Sequence, residues 1–233
     1  MESGDRPIAA AAVRQEDLEG RVAPLPFEVV LADGGSRDGT ISRFSELTRD
    51  WPPRGRTARV VACPRPGRAE QMNAGARAAA GEVLVFLHAD THLPSSATRA
   101  VLQALADPAV AGGGFRHAFL EPGVFLRIIS FWATARSVVR RIHYGDQAIF
   151  ARRSVFEAIG GFPADPLFED LAISRRLRGR GRVVTLPLAA STSARRLRQG
   201  GVARTAARFA WLKLRHALGA KPARLKARYP DVR

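Results

Sequence analysis

The sequence predicts an α/β protein, a mostly parallel sheet flanked by helices. Two apolar runs lead to that expectation. Phe27-Glu-Val-Val-Leu-Ala-Asp33 reads as a buried strand, and Val83 to Leu87 is continuously apolar, the pattern of a strand covered on both faces. Each run stops in polar residues, Asp33 in one case and His88-Ala-Asp90 in the other. The third observation is the repeated alternation of strand-like and helix-like segments, which implies crossover helices between parallel strands. A length of 233 residues suits one domain, or a domain with a small appendage.

The elements follow in chain order. Ile8 to Val13 is alanine-rich and 15–22 is polar, so a short helix fits here better than a core strand. After the strand ending at Asp33, Gly34-Gly-Ser-Arg-Asp-Gly-Thr40 is a glycine turn, with Ser36 or Asp38 as cap of a helix through Phe44 to Leu47. Strand, glycine turn and polar helix start are how α/β proteins build nucleotide sites, and an ordinary capped turn has the same look. Trp51 to Arg56 is a loop, Ala58 to Cys63 a strand, and Ala69 to Ala80 a helix bearing Gln71 and Asn73. Arg68 stands at that helix start, placed for a diphosphate or for solvent. His88 and Asp90, two apart at a strand end, would point the same way; such a pair can hold a divalent cation or simply cap the strand.

A helix over Ser95 to Ala106 and an extended segment over Val110 to Phe119 come next. Val124 to Arg141 is amphipathic, and its dense cluster of Phe125, Leu126, Ile128, Ile129, Phe131 and Trp132 reads as core in preference to a lipid contact. Tyr144-Gly-Asp-Gln147 precedes a strand over Ala148 to Ala151; Asp146 and Gln147 suit a sugar hydroxyl or a turn cap equally. Phe168-Glu-Asp-Leu171 opens a helix to Arg178, its acids favoured at a helix start by the dipole alone. Val183 to Leu186 is a last short strand. From Ser191 the chain is basic, with a helix over Val202 to Leu218 that mixes Phe209, Trp211 and Leu212 with arginines.

Composition bounds the partners. The formal charge is +16, and Lys213, Lys221 and Lys226 are the only lysines, so arginine carries nearly all of it. Such a surface attracts phosphate, whether of nucleotides, lipid headgroups or nucleic acid. Cys63 is the single cysteine, which excludes an internal disulfide and fits a reducing compartment. Met1 to Ala12 carries Glu2 and Asp5 and lacks a signal-peptide core, and no apolar stretch approaches the ~20 residues of a membrane span. A cytoplasmic protein is expected, soluble or peripheral on the inner membrane. Neither G-x-G-x-x-G nor G-x-x-x-x-G-K-[ST] occurs, which disfavours dinucleotide-binding and P-loop enzymes.

Three acidic stations stand in order: Asp33, Asp90 and the pair Glu169-Asp170. This arrangement is similar to family 2 glycosyltransferases with the GT-A fold, and more closely to the bacterial branch called rSAM/selenodomain-associated transferase 2. Matching segments are Phe27 to Thr40, Gly67 to Asn73, Val83 to Pro94, Gly145 to Arg152 and Gly160 to Arg178; Arg195-Arg196 and the tail to Tyr229 also look like that branch. The resemblance implies sugar transfer from a nucleotide-diphosphate donor to an acceptor hydroxyl, lipid-linked or otherwise, by inversion. It implies Asp170 as general base, aided by Glu169, and His88 with Asp90 at the position of a Mn²⁺ or Mg²⁺ site. Donor binding would fall to Asp33, Ser36, Arg68, Asn73, Asp90, Asp146 and Gln147.

Two departures are visible. His88 replaces the first aspartate of the family's D-x-D, and imidazole suits Mn²⁺ better than Mg²⁺. The family's opening strand with its P-x-x-N-E-like motif is not found, since Asn73 is the only asparagine. Met1 to Pro7 are too few and too polar to supply it, so the sequence as given is expected to lack that interior strand. The division expected is a GT-A-like domain over 1–190 and a basic helical extension over 191–233. The rival reading is a catalytically inactive GT-A-like module that binds anionic membrane or nucleic acid through its arginines. The basic tail from Arg195, with Phe209, Trp211 and Leu212, reads equally as a segment that docks on anionic membrane or as a helix packed back on the domain, and no specific nucleic acid is expected.

Overall fold

The computed structural model describes residues 8–13, 27–51, 55–64, 67–164, 167–220 and 222–226. The helix expected over 15–22, parts of the turns at 52–54 and 65–66, and the tail end to Tyr229 lie outside these residues. Its strands are β1 (Ile8–Val13), β2 (Phe27–Asp33), β3 (Arg56–Ala62), β4 (Val83–His88), β5 (Thr91–His92), β6 (Val110–Phe119), β7 (Phe150–Arg152) and β8 (Arg182–Thr192). Its helices are α1 (Thr40–Thr48), α2 (Arg68–Ala78), α3 (Ala97–Leu105), α4 (Val124–Arg140), α5 (Arg153–Ala158), α6 (Glu169–Arg178), α7 (Arg195–Gln199), α8 (Val202–Ala217) and α9 (Pro222–Lys226).

All eight strands join one sheet in the order β3-β2-β1-β4-β7-β6-β8-β5. The pairings make β2, β3, β4, β6 and β8 run one way, while β1, β5 and β7 run the other. The α/β expectation holds, and the sheet is mixed. The reversed strands are the reason few direct neighbours are parallel.

The expectation that 8–13 is not a core strand is corrected. β1 lies between β2 and β4, antiparallel to both, with Ala10 opposite Val30 on one side and Phe86 on the other. Strand neighbours on both sides offer two rows of N–H and C=O groups that need partners, and this outweighs the weak strand propensity of alanine.

The apolar run of β4 is explained by cover on both faces. Leu84 and Phe86 pack with Met72 of α2, Phe156 of α5, and Ile173 and Leu177 of α6. Val83 and Val85 point the other way, onto Val101, Leu102 and Leu105 of α3. β8 is longer than the expected four residues because it follows β6 along its length, with a register shift that leaves Pro187 and Leu188 unpaired between Leu186 and Ala189. The expected boundary at 190/191 falls inside that strand. Beyond it the tail packs back, with Leu212 of α8 and Leu225 of α9 buried against Ile142, Phe168 and Leu171. One reading of the sequence is reversed: α4 buries only Leu126 and Ser137, and its aromatic cluster faces outward.

β6 can sit between β7 and β8 only because it is thin at Gly112-Gly113-Gly114. A Cβ on Gly113 would stand 2.2 Å from the Val184 carbonyl oxygen, and one on Gly114 2.5 Å from the His143 ring. Gly113→Ala is predicted to destabilise the fold by roughly 1–3 kcal/mol or more, as overpacking against backbone does. Urea denaturation reads it out, and an unchanged midpoint would contradict this packing.

Candidate active site

β2 and β4 run together with β1 between them, so their carboxyl ends share one edge of the sheet. Ala32 and His88 face the same residue, Ile8, from either side. They are therefore two strand spacings apart, roughly 10 Å. Asp33 is buried there, and its carboxylate accepts the backbone N–H groups of Gly35 and Ser36, each at 3.0 Å. Asp38, the other expected cap, accepts from the Thr40 N–H at 3.1 Å, ahead of α1.

At the end of β4 the imidazole Nε2 of His88 meets Nη2 of Arg68 at 3.0 Å. Arg68 is the first residue of α2, and its Nε lies 3.1 Å from Oε1 of Glu169, the first residue of α6. Glu169 is 2 % exposed. Burial, with the adjacent Asp170 charge adding to it, raises its proton affinity above that of an ordinary glutamate, and Arg68 works against the rise. Asp170 is buried too; its carboxylate accepts from Gly145 N–H at 3.1 Å and from its own neighbour Leu171 N–H at 2.7 Å. Gly145 closes the ring: a Cβ there would stand 2.4 Å from His88 Nε2 and 2.8 Å from Arg68 Nη2. Three helix or turn starts and one strand end thus meet at Arg68, His88, Gly145, Glu169 and Asp170.

The 3-10 turn Gly145–Gln147 brings Asp146 to the same place. Burial opposes its charge, but the hydrogen bond and charge of His117, then Arg136 and His88, prevail and hold it down to about 2. The His117 Nε2 to Asp146 Oδ2 distance is 3.4 Å.

Residues 10–161 match the family model described as Glycosyl transferase family 2, well over half of the chain. The chain belongs to glycosyl transferase family 2. Solved structures agree on the fold. The mannosyltransferase PcManGT from Pyrobaculum calidifontis, in complex with GDP-Man and Mn²⁺, superimposes with a TM-score of 0.53 and 24% identity over 71% of this chain and 47% of that one. S. aureus TarS 1-349 gives a TM-score of 0.54 and 14% identity over 71% of this chain and 50% of that one. The chain therefore spans about half the length of these solved chains. No curated protein matches the sequence. The family match ends at residue 161, so Glu169 and Asp170 are joined to the site by the fold rather than by the matched segment.

Two of the expected donor contacts have their amides engaged within the fold. Gln147 is fully buried: its amide donates to the Phe115 carbonyl and Ser137 Oγ, and its oxygen accepts from Arg136 and Tyr144. Asn73 spends its amide on both backbone groups of Phe162, at 2.8 and 2.9 Å. Both hold loops in place. Asp90 is half-buried in the turn after β4, and its carbonyl accepts from Ser193 N–H at 3.2 Å.

For a cation, the candidate protein ligands remain His88 and Asp90, and no cluster of three or more His, Cys, Asp or Glu suited to a metal occurs among the described residues. Arg68 Nη2 meets His88 Nε2, so an ion held by this imidazole and carboxylate would replace that contact or use the other ring nitrogen, and would complete its shell with phosphate and water oxygens.

Sequence reasoning missed the wall contributed by the tail. Lys213 of α8 places Nζ 4.5 Å from the Tyr144 ring centroid, and the Arg136 guanidinium lies 3.8 Å from the same ring. Burial, then repulsion by Arg136, lowers the Lys213 pKa, while Asp146 and Asp170 pull it up. Its signal was available: it is one of three lysines in an arginine-rich chain.

Beneath the site, His143 is 1 % exposed, with Nε2 2.9 Å from Thr185 Oγ1. Burial, and secondarily Arg136, depress its pKa to about 4. The unfolded chain, with a histidine near 6.5, binds the extra proton between those values, so stability falls as pH drops from about 6.5 towards 4. This group alone is predicted to remove about 2 kcal/mol between pH 7 and pH 5. His143→Gln, which cannot titrate, should lose that part of the slope in denaturation measured at both pH values; an identical slope would be evidence against a neutral buried imidazole.

Proposed function

We propose that this protein moves a sugar from a nucleoside-diphosphate donor to an acceptor hydroxyl in a single inverting displacement, with Asp170 as general base. The observation that carries the reading is the chain Glu169–Arg68–His88, which ties an acidic helix start to the strand end where α/β sheets bind ligands. Family membership supports nucleotide-sugar transfer in general, and the remaining detail rests on the chemistry of these residues.

Asp33 and Ser36, at the end of β2, are on the same sheet edge and suit the nucleoside end of the donor. Arg68 supplies a guanidinium for the diphosphate, on which negative charge grows as it leaves. His88 and Asp90 would hold a divalent cation, Mn²⁺ before Mg²⁺ given the imidazole, and it would add Lewis-acid stabilisation of the leaving group. The acceptor oxygen forms its bond to the anomeric carbon as the bond to the diphosphate oxygen breaks, and the electron pair departs with the diphosphate. The acceptor's proton goes to Asp170. The backbone N–H of Gly145 fixes one oxygen of that carboxylate, leaving it lone pairs for the hydroxyl. Glu169, held by Arg68, orients the pair. No leaving-group acid is needed, because a nucleoside diphosphate departs as an anion.

Donors are identified by hydrolysis and thermal shift with UDP-, GDP- and dTDP-sugars, with and without Mn²⁺. On the donor so found, Asp170→Asn is expected to lower kcat by roughly 10²–10⁴ with donor affinity nearly intact. A variant that keeps most of its turnover would remove Asp170 from this role. Asp90→Ala should abolish metal-dependent donor binding, and full activity in excess chelator would leave Arg68 as the stabilising charge.

A further inference from the structure

The outward face of α4 has no part in the reaction described above. Val124, Phe125, Ile128, Phe131, Trp132, Val138 and Val139 are all exposed, with Phe125 at 72 %, Trp132 at 67 % and Val139 at 79 %. At ~100° per residue these positions fall within an arc of about 140° on one side of the helix, while buried Leu126 and Ser137 fall on the other. Phe131 and Trp132 stack edge to face at 5.6 Å, so the patch presents two adjoining rings rather than scattered apolar atoms. Contiguous apolar surface of this kind marks an interaction face.

We infer that this face of α4 docks the protein on an anionic lipid bilayer. Charge decides the occupant. α4 contains no aspartate or glutamate, and exposed Arg127 lies at one border of the arc, with exposed Arg140 and Arg141 at its end. A second copy of the same face would bring these arginines against each other within a chain of net charge +16. Anionic headgroups take both the rings and the cations. No described helix is long and apolar enough to cross a membrane, so α4 would lie in the interface plane.

The position is coherent with the site. A cavity of about 800 Å³ between α4 and β6 is lined by Phe119, Phe131, Thr134 and Val138, and reaches His117. His117 Nδ1 is 3.0 Å from Ser130 Oγ of α4, and its Nε2 faces Asp146. The lipid-side face and the acidic cluster are thus two sides of one wall. The tail, read from the sequence either as membrane-facing or as packed back, buries Leu212 in the protein.

Co-sedimentation with phosphatidylcholine vesicles, with and without phosphatidylglycerol, tests the inference. The protein should pellet with the anionic vesicles and at least tenfold less with the neutral ones. Phe125→Glu, Phe131→Glu and Trp132→Glu combined should weaken pelleting at least tenfold, whereas Trp211→Glu in the tail should leave it within twofold. Because a triple variant can lose its fold, the unsubstituted chain is also read by brominated-lipid quenching of tryptophan emission, which Trp132→Phe should remove. The inference is overturned by protein that stays in the supernatant, by a triple variant that still pellets, by quenching that survives Trp132→Phe, or by a stable dimer that the triple variant dissociates.

Discussion

A glutamate as deeply buried as Glu169 has to be neutralised by protonation or by a partner, and Arg68 is that partner. The pairing constrains more than the two side chains. Glu169 begins α6 and Arg68 begins α2, so the ion pair fixes the starts of two helices that pack on the same face of the sheet. By reaching His88 as well, the guanidinium ties both to the end of β4. Residue 145 must then be glycine, because a β-carbon there would run into both the imidazole and the guanidinium. That close approach is what lets the Gly145 N–H reach the Asp170 carboxylate. The acidic pair is thus oriented by an ionic chain running through three elements, and each member is needed by the next.

A second constraint comes from behind. Phe168, immediately before the pair, has φ 67°, a conformation a phenylalanine adopts only when its surroundings demand it. The surroundings are in the tail: Phe168 stacks on His216 at 4.6 Å and packs with Leu212 and Leu225. The tail therefore holds the backbone turn that aims Glu169 and Asp170 inward, and α8 adds Lys213 beside Tyr144. What reads by composition as a basic appendage behaves as the back wall of the site.

These two constraints explain what was legible in the sequence. β2 and β4 were visible because strands covered on both faces must be apolar throughout, and their polar ends had to be exposed to something. The acidic pair was visible because its position at a helix start is chemically marked. The engagement of Gln147 and Asn73 within the fold was not legible, because a buried amide that satisfies backbone groups and one that grips a sugar carry the same letter; only the counted hydrogen bonds separate them. β1 was hidden because alanine is a poor guide to strands, and its place is set by the unpaired edges of β2 and β4, which lie far along the chain. The face of α4 was misread because periodicity reports that a helix has an apolar side, not which way that side turns.

The orientation of α4 follows from what lies under it. Its inner side is occupied by polar work. Arg136 donates to Gln147 and approaches the Tyr144 ring, Ser137 accepts from Gln147, Ser130 meets His117, and Thr134 Oγ1 accepts from the His117 N–H. A helix has only so much circumference, and each of these contacts must face the sheet for Asp146 and the 3-10 turn to be held. The rings at Phe125, Phe131 and Trp132 are consequently turned outward. Had α4 been a simple core helix, its apolar side would have packed on β6 and the His117–Asp146 contact would have lost its support. The exposed apolar surface is the geometric counterpart of a buried polar network, and the same rotation of α4 produces both.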